Sequence, residues 1–276
     1  MTALGPPMRV SSSTSTGAVY DHGAHVTSWI PAGQADVLWM SPLCDYDSAA
    51  ALRGGIPVVF PWFGAGRSRD LRPSHGFGRL STWALTSVDE QPDHVTVTHT
   101  LRDVESTEFP YSFQATHVVT FGSDLDVRLI VENTGSLPFS FEEALHTYLA
   151  VGDARHVAVL GLEGAPYLDS VKGGQVSTQL GPIVIDGEVD RIYLSDRDVT
   201  VVDPALERTI VVSKANSHHT VVWNPWIDRA AALADMPDDG WTMMLCIEGA
   251  NLTEHAVTLQ PGESHTMGYA LSVAPL

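Results

Sequence analysis

The stretch FQATHVVTFGSDLDVRLIVENTG, residues 113–135, decides the fold class. Apolar and polar residues alternate through both of its halves, and β-branched residues are frequent, which is typical of strands with one buried face. The segment GSDL, residues 122–125, lies between the halves and has the composition of a turn. We therefore predict an antiparallel hairpin here.

Similar strand patterns recur before and after this hairpin. They occupy residues 95–101, 199–203, 209–214, 218–225, 241–249, 255–260 and 265–273. The last two flank the turn PGES at 261–264 and predict a second hairpin. Only residues 47–54 and 229–236 have a helical composition. The lack of a sustained 3.6-residue periodicity argues against a doubly wound α/β fold.

The predicted architecture is all-β, with a few short helices. One large antiparallel β-sandwich or barrel-like domain is expected over residues 1–276. The serine- and threonine-rich run at 11–16 is either a strand edge or part of a poorly ordered N-terminus that covers residues 1–16.

The composition indicates a folded, acidic protein. Of 276 residues, 44% are hydrophobic, and 33 acidic against 15 basic residues give a formal charge of −18. This balance argues against nucleic acids and anionic membranes as partners, although a few arginines can still bind a small anion locally. No membrane-spanning stretch or signal peptide is recognisable. With two cysteines in unrelated contexts, Cys44 and Cys246, we expect a reducing, cytoplasmic environment.

A histidine interrupts the apolar run EEALHTYLAVGD, residues 142–153. If this run is a strand, Glu142, Ala144, His146 and Tyr148 share one face, which suits a wall that contacts a polar ligand. If it is a helix, His146 lies on the surface. The residues alone leave both alternatives open.

A carboxylate ends the apolar strand pattern in WTMMLCIEGAN, residues 241–251. Alternation places Thr242, Met244, Cys246 and Glu248 on one face, and both faces are largely apolar. Glu248 would therefore enter a low-dielectric site, where burial raises the pKa of a carboxyl. It is either a general base or a structural carboxylate that backbone donors satisfy.

Two glycine-rich loops present further polar groups. In RGGIPVVFPWFG, residues 53–64, Arg53 precedes two glycines and either contacts a ligand or pairs with a carboxylate in a buried crossover. In PSHGFGRLSTW, residues 73–83, His75 and Arg79 flank a glycine pair, which is also compatible with an ordinary surface turn.

Other common site types have no support in the sequence. It contains no GxSxG elbow, P-loop or dinucleotide fingerprint. His218 and His219 are adjacent, so on a strand they point to opposite faces and cannot easily share one ion. No metal site and no cofactor are expected.

In this order, these segments resemble the aldose 1-epimerase superfamily, and more specifically its D-hexose-6-phosphate mutarotase branch. The resemblance extends from about residue 17 to CIEGAN at 246–251. The strings RGGIP…PWFG and ALHTY…VGD carry it most specifically, and the others are HVTSWIPAG (25–33), VLWMSP (37–42), SHGFGRLSTW (74–83), VDRIYL (189–194), VVWNPW (221–226) and DMPDDGW (235–241). It implies a galactose mutarotase-like β-supersandwich with an open groove and no cofactor.

The resemblance also implies roles for individual residues. Glu248 is the expected base and His146 the expected acid of a reversible ring opening, with Arg53, His75 and Asp190 binding the sugar. Asp186 and Glu188 lie close enough in the chain to compete with Asp190 for its role. Arg79 is the first choice for phosphate, Arg53 is a candidate to contact both sugar and phosphate, and Arg67 and Arg69 are weaker candidates. The family usually has alanine at Gly78, a departure expected to loosen that loop.

The predicted activity is the interconversion of α and β anomers of a hexose 6-phosphate, with glucose 6-phosphate as first choice. The alternatives are a mutarotase of unphosphorylated aldoses and a carbohydrate-binding protein without catalysis. The expected partner is a sugar phosphate, and the expected assembly is a monomer or weak homodimer.

Overall fold

The computed structural model describes residues 3–102 and 104–276. Its strands are β1 (Met8–Ser11), β2 (Ser15–Tyr20), β3 (His25–Pro31), β4 (Val58–Val59), β5 (Ala84–Glu90), β6 (Val95–Arg102), β7 (Phe113–Phe121), β8 (Leu125–Asn133), β9 (Phe139–Phe141), β10 (Glu143–Leu145), β11 (Tyr148–Ala150), β12 (Ala158–Leu160), β13 (Pro166–Asp169), β14 (Gln175–Thr178), β15 (Val189–Leu194), β16 (Val199–Asp203), β17 (Arg208–Ala215), β18 (His219–Asn224), β19 (Met244–Asn251), β20 (Val257–Leu259) and β21 (Ser264–Pro275). The α-helix is α1 (Trp226–Ala231), and 3₁₀ turns cover Gly78–Leu80, Ala154–His156, Gly240–Met243 and Thr253–His255.

Two eight-stranded antiparallel sheets form the body of the fold. The first, called here the front sheet, has the order β14-β13-β15-β18-β19-β10-β4, with β11 also paired to β19. The second, the back sheet, has the order β12-β16-β17-β21-β8-β7-β6-β5. Smaller sheets join β1-β2-β3 and β20-β9. The predicted antiparallel all-β architecture is confirmed.

The quoted hairpin lies at the centre of the back sheet. Strands β7 and β8 pair from Phe113 with Asn133 to Phe121 with Leu125, and the Gly122 amide donates to the Asp124 carbonyl across the turn. Buried and half-buried residues alternate along β7. The hairpin prediction is confirmed, because the two-residue period leaves one face free to enter the core.

The core lies between the two sheets. Leu145 and Ile247 of the front sheet join Val119 and Leu129 of the back sheet in one continuous apolar cluster. Phe60, in the loop after β4, packs against four further phenylalanine rings at centroid distances of 5.1–5.8 Å. This packing holds the loop that carries part of the candidate site described below.

The helix predicted at 47–54 is wrong. The Asp47 side chain accepts a hydrogen bond from the Ala49 amide at 2.9 Å and holds a turn. Gly54, at φ +119°, lies outside helical geometry and forms a bridge to Met40. The second helical segment is partly correct, because α1 starts earlier, at Trp226, and ends at Ala231.

The hairpin predicted for 255–273 is also wrong. Strand β20 pairs with β9, whereas β21 pairs with β8 and β17. The turn between them is held by Asn133, whose carbonyl accepts from the Gly262 amide at 2.8 Å. Asn133 also donates to the Leu259 carbonyl. The chain therefore turns around the end of β8, and β20 and β21 diverge from each other.

The N-terminal serine- and threonine-rich run crosses from the end of β1 into β2, so it lies at a strand edge. Residues 1 and 2 lie outside the described residues. Among the residues that the structure describes, no helix is long and apolar enough to cross a membrane.

Candidate active site

The segment at 142–153 is a strand with a break at its centre. β10 ends at Leu145 and β11 begins at Tyr148, and both pair with β19. The backbone amides of His146 and Tyr148 donate to the carbonyls of Pro57 and Gly55, at 3.0 and 2.9 Å. The strand alternative is therefore correct, and the glycine-rich loop supports its break.

Alternation then places His146 and Glu248 on the same side of the front sheet. Leu145 and Ile247 point into the core, while the ring of His146 stacks on Tyr148 at 4.9 Å. The His146 Nε2 atom lies 3.4 Å from Glu248 Oε1. Residues 241–243 form a 3₁₀ turn, so the predicted alternation of this segment begins at Met244.

Both groups are almost completely enclosed by protein. Burial raises the pKa of Glu248 well above its usual range, and nearby Asp190 adds to this shift. Burial also lowers the pKa of His146 well below 6.5, with further contributions from His75, Arg79 and Arg53. His146 Nδ1 and Glu248 Oε2 are buried without a hydrogen-bond partner among the described residues. Burial therefore favours the uncharged form of each group, and the pair retains free hydrogen-bonding capacity.

His75 approaches the pair from the second glycine-rich loop. Its ring contacts that of His146 edge-to-face, with centroids 5.7 Å apart. The Gly64 amide donates to His75 Nδ1 at 3.3 Å, which places the proton of the neutral ring on Nε2. Burial, with Arg79 and Arg53 nearby, lowers the pKa of His75 to about 3. His75 is thus a neutral hydrogen-bond donor.

This loop requires glycine at one position. Gly76 has φ +71°, and a Cβ atom there would lie 2.1 Å from the Phe60 carbonyl oxygen. At Gly78 a Cβ would lie 3.1 Å from the Val58 carbonyl oxygen, and its amide donates to Phe60 at 2.9 Å. The loop therefore packs closely against the strand β4 region.

Arg53 combines the two alternatives that the sequence left open. Its Nε donates to Asp235 at 3.1 Å, and its Nη1 donates to the Tyr148 hydroxyl at 3.0 Å. It is therefore paired with a carboxylate and also reaches the cavity beside His146. Tyr148 connects it to the histidine because the two rings are stacked.

A cavity of about 350 Å³ unites these groups. All six residues predicted for the site line it, namely Arg53, His75, Arg79, His146, Asp190 and Glu248. Asp186 and Glu188 do not line it, and neither do Arg67 or Arg69. A groove of about 790 Å³ near Trp62 and Tyr111 is larger, but its lining includes no histidine beside a carboxylate. The site is therefore identified by the side chains that line the cavity and not by the cavity volume.

Trp223 and Arg229 are among the residues that line the cavity without a role predicted from the sequence. The Trp223 ring lies 6.0 Å from that of His146, edge-to-face, and Arg229 extends from α1. Both belong to segments that the sequence had marked, VVWNPW and RAAALADM, but neither motif suggested a role. Asp190 of β15 pairs in register with Trp223 of β18, so the two residues lie on the same wall of the cavity.

The arrangement can exchange protons with a bound polar molecule. It offers a carboxyl and an imidazole 3.4 Å apart, a neutral histidine donor, and three arginines on one cavity. No nucleophile activated by an adjacent base is needed for this chemistry.

A family model described as aldose 1-epimerase matches residues 10–272. The chain belongs to the aldose 1-epimerase family. Its resemblance to this family is confirmed, and the protein is an isomerase of the epimerase type.

Relatives of this epimerase span most of its length. A protein of Escherichia coli K12 named "Putative glucose-6-phosphate 1-epimerase" is 37% identical over 84% of this chain and 78% of its own. A protein of Cenchrus ciliaris with the same name is 34% identical over 93% of this chain and 81% of its own length. The crystal structure of a "putative mutarotase (YeaD)" from Salmonella typhimurium has a TM-score of 0.90 at 30% identity, covering 97% of this chain and 90% of that one.

Proposed function

We propose that this epimerase interconverts the α and β anomers of a hexose 6-phosphate, with glucose 6-phosphate as the substrate. The observation that carries the proposal is the His146–Glu248 pair, 3.4 Å apart at a cavity that three arginines also line. The names of the E. coli and Cenchrus relatives support the choice of sugar phosphate.

Mutarotation needs one proton acceptor and one proton donor. The acceptor takes the proton of the anomeric hydroxyl while the donor protonates the ring oxygen, and the bond between C1 and the ring oxygen breaks. The aldehyde then turns about the C1–C2 bond, and the reverse transfers close the ring on its other face. A positioned acid or base contributes about 10²–10⁴-fold to such a step.

We assign the acceptor to Glu248 and the donor to His146 in the opening step. Transfer of one proton from Glu248 to His146, 3.4 Å away, first converts the neutral pair into a carboxylate and an imidazolium. Ring opening converts these back into a carboxyl and a neutral imidazole, and closure reverses this. Burial favours the second of these arrangements, in which neither group is charged. The cycle therefore passes through a state that the cavity itself stabilises, and the pair gains or loses no net charge.

His75 and Asp190 are proposed to hold the sugar. His75 offers an Nε2 proton, and the Asp190 carboxylate accepts from hydroxyl groups. Arg53 is placed to donate to a sugar oxygen while Asp235 and Tyr148 hold its orientation. Trp223 supplies an apolar wall for the ring.

The phosphate is assigned to Arg79 and Arg229. Arg79 donates to the Ser74 carbonyl at 2.9 Å, but its Nε is buried without a partner among the described residues. Arg229 is exposed at the same cavity. Guanidinium groups bind phosphate through charge-assisted hydrogen bonds, so these two cations form a local anion site on a chain whose charge is −18.

Anomer exchange measured by NMR saturation transfer tests this assignment. For Arg79→Gln and Arg229→Gln we expect about 10–100-fold lower kcat/KM on glucose 6-phosphate, since a hydrogen bond to a charged group contributes about 1.5–3 kcal/mol. Exchange of free glucose should change little. Arg69→Gln, which changes an arginine away from the cavity, is the matched control.

Other outcomes of the same experiment have clear meanings. Equal losses on both sugars would contradict the phosphate site and favour a mutarotase of unphosphorylated aldoses. No exchange of either sugar by the wild-type protein would leave a carbohydrate-binding protein without catalysis.

Three further assignments belong to the proposal. Cys44 and Cys246 are both free thiols, which supports a cytoplasmic protein. The acidic charge supports a sugar phosphate as partner rather than nucleic acid or a membrane. The continuous core supports a single domain, and we retain a monomer or weak homodimer as the assembly.

A further inference from the structure

A second cluster of histidines lies outside the catalytic cavity. His219 is at the start of β18, and Glu254 and His255 belong to the 3₁₀ turn that follows β19. Because His219 pairs in register with Ala250 near the end of β19, the turn comes back over the His219 ring. The two imidazole rings have centroids 5.1 Å apart and stand at 69° to each other.

The potential ligand atoms of these three side chains converge. One ring nitrogen from each histidine and one oxygen from Glu254 all lie within 4.8 Å of one another. Ligand atoms about 2.1 Å from a tetrahedral Zn²⁺ are roughly 3.4 Å apart. The ligand atoms therefore need to approach one another only slightly to hold the ion. Glu254 is exposed, and only its Oε2 accepts from the Thr253 hydroxyl among the described residues, so its Oε1 can turn inward.

The ring nitrogens of the cluster have unmet hydrogen-bonding capacity. The Nδ1 atoms of His219 and His255 are both buried, and neither has a hydrogen-bond partner within residues 3–102 and 104–276. The His219 side chain is only 4% exposed. Buried polar atoms without partners are uncommon in proteins and call for an explanation, which a bound cation would supply.

The types of side chain in the cluster also suit a metal. Two imidazoles and one carboxylate form a ligand set typical of Zn²⁺ and related transition metals, whereas Ca²⁺ and Mg²⁺ prefer oxygen ligands.

We propose that His219, Glu254 and His255 form a binding site for a divalent transition-metal ion of the Zn²⁺ class. This differs from the sequence expectation, which considered only His218 with His219. His218 stacks on His255 at 4.6 Å and covers the outer side of that ring. The metal would join β18 to the 253–255 turn.

The proposed site has a physical connection to the catalytic wall. The Thr253 amide, in the same turn, donates to Glu142 at 2.8 Å, and Glu142 also accepts from the Phe63 amide at 3.0 Å. Phe63 lines the catalytic cavity. A metal that holds the turn would thus stabilise one support of that wall without entering the cavity.

Titration of untagged, chelator-treated full-length protein with ZnCl₂ tests the proposal. We expect one Zn²⁺ per chain, measured by calorimetry and by competition with a chromophoric chelator, and an increased melting temperature. MgCl₂ should produce neither signal. Co²⁺ in place of Zn²⁺ should give the visible absorption of a low-symmetry, nitrogen- and oxygen-ligated ion.

Variants locate the site. Glu254→Gln and His255→Gln change partly exposed side chains and should weaken binding at least 10-fold without loss of the fold. His219→Gln should abolish binding, and circular dichroism would check its folding. The matched controls are His218→Gln, which leaves all three ligands, and His94→Gln, which changes a half-buried histidine beside Asp93.

Two results would overturn the proposal. One is the absence of Zn²⁺ binding to the wild-type chain below about 100 μM, and the other is binding that Glu254→Gln and His255→Gln leave unchanged. Binding lost only in Glu248→Gln would place the ion in the catalytic cavity and equally contradict it. Because binding is measured without sugar, failure here leaves the proposed anomer exchange untouched.

Discussion

Two buried histidines, one in each large sheet, show what distinguishes a catalytic group from a structural one. His117 of the back sheet is fully buried, and neither of its ring nitrogens has a partner within the described residues. His146 of the front sheet is 8% exposed. Burial lowers the pKa of both rings, to about 3 for His117.

Their surroundings differ. His117 packs edge-to-face on Trp83 and pairs across the sheet with His99. His146 faces Glu248 at 3.4 Å and borders a cavity. A shifted pKa therefore does not identify the active site by itself. What identifies the active site is a second proton-exchanging group beside the histidine, together with a cavity that has room for a substrate.

The comparison is tested most strongly by removing the partner of His146. Glu248→Gln keeps the shape of the side chain but cannot accept a proton, so kcat on glucose 6-phosphate should fall by about 10²–10⁴-fold. Saturation-transfer NMR measures the rate. The melting temperature should stay the same or rise, because a buried ionisable group is removed. Unchanged anomer exchange would eliminate the proposed mechanism.

A matched pair of substitutions compares the two histidines directly. His146→Leu should lower kcat by about 10²-fold or more, since one of two proton-transfer groups is lost. His117→Leu should leave kcat unchanged, because the ring has no contact with the cavity. Equal rate losses in the two variants would mean that the effect comes from damaged packing and would contradict the distinction.

The pH dependence of kcat sharpens the comparison. Because the pKa of His146 is lowered well below 6.5, its ring takes up a proton from solvent only well below that pH. The value of kcat, which reports groups in the enzyme–substrate complex, should therefore remain level as pH falls through 6.5. A half-maximal loss near pH 6.5 would show an imidazole with an ordinary pKa in the rate-limiting step.

The smallest effect concerns stability. His117 has a pKa of about 3 in the folded state and about 6.5 when unfolded, so the unfolded chain binds more protons between these values. Its contribution is fully present above pH 6.5 and declines as pH falls toward 3, by at most about 1.4 kcal/mol per pH unit.

Urea unfolding at pH 7.5 and pH 5 measures this decline. The free energy of unfolding should fall by about 1–2 kcal/mol more in the wild type than in His117→Leu. The same slope in both proteins would show that His117 does not titrate on unfolding.

The sequence by itself determined the strands and the direction of their side chains. The β7–β8 hairpin and the burial of Glu248 follow from a two-residue period that any strand must obey. For Ala144, His146 and Tyr148 the sequence left a strand and a helix open, and it placed them on one face only in the strand. The loops carrying Arg53, His75 and Arg79 were recognisable from their glycines and from the family strings around them.

Only the tertiary structure decided which of these groups meet. The distance between His146 and Glu248 depends on the pairing of β10 and β11 with β19, and the place of Arg229 depends on where α1 begins. The sequence also did not predict three other features: the turn at 47–54, the divergence of β20 from β21, and the approach of His255 to His219. Alternation is a local property, whereas strand partners and turn positions result from packing between segments far apart in the chain.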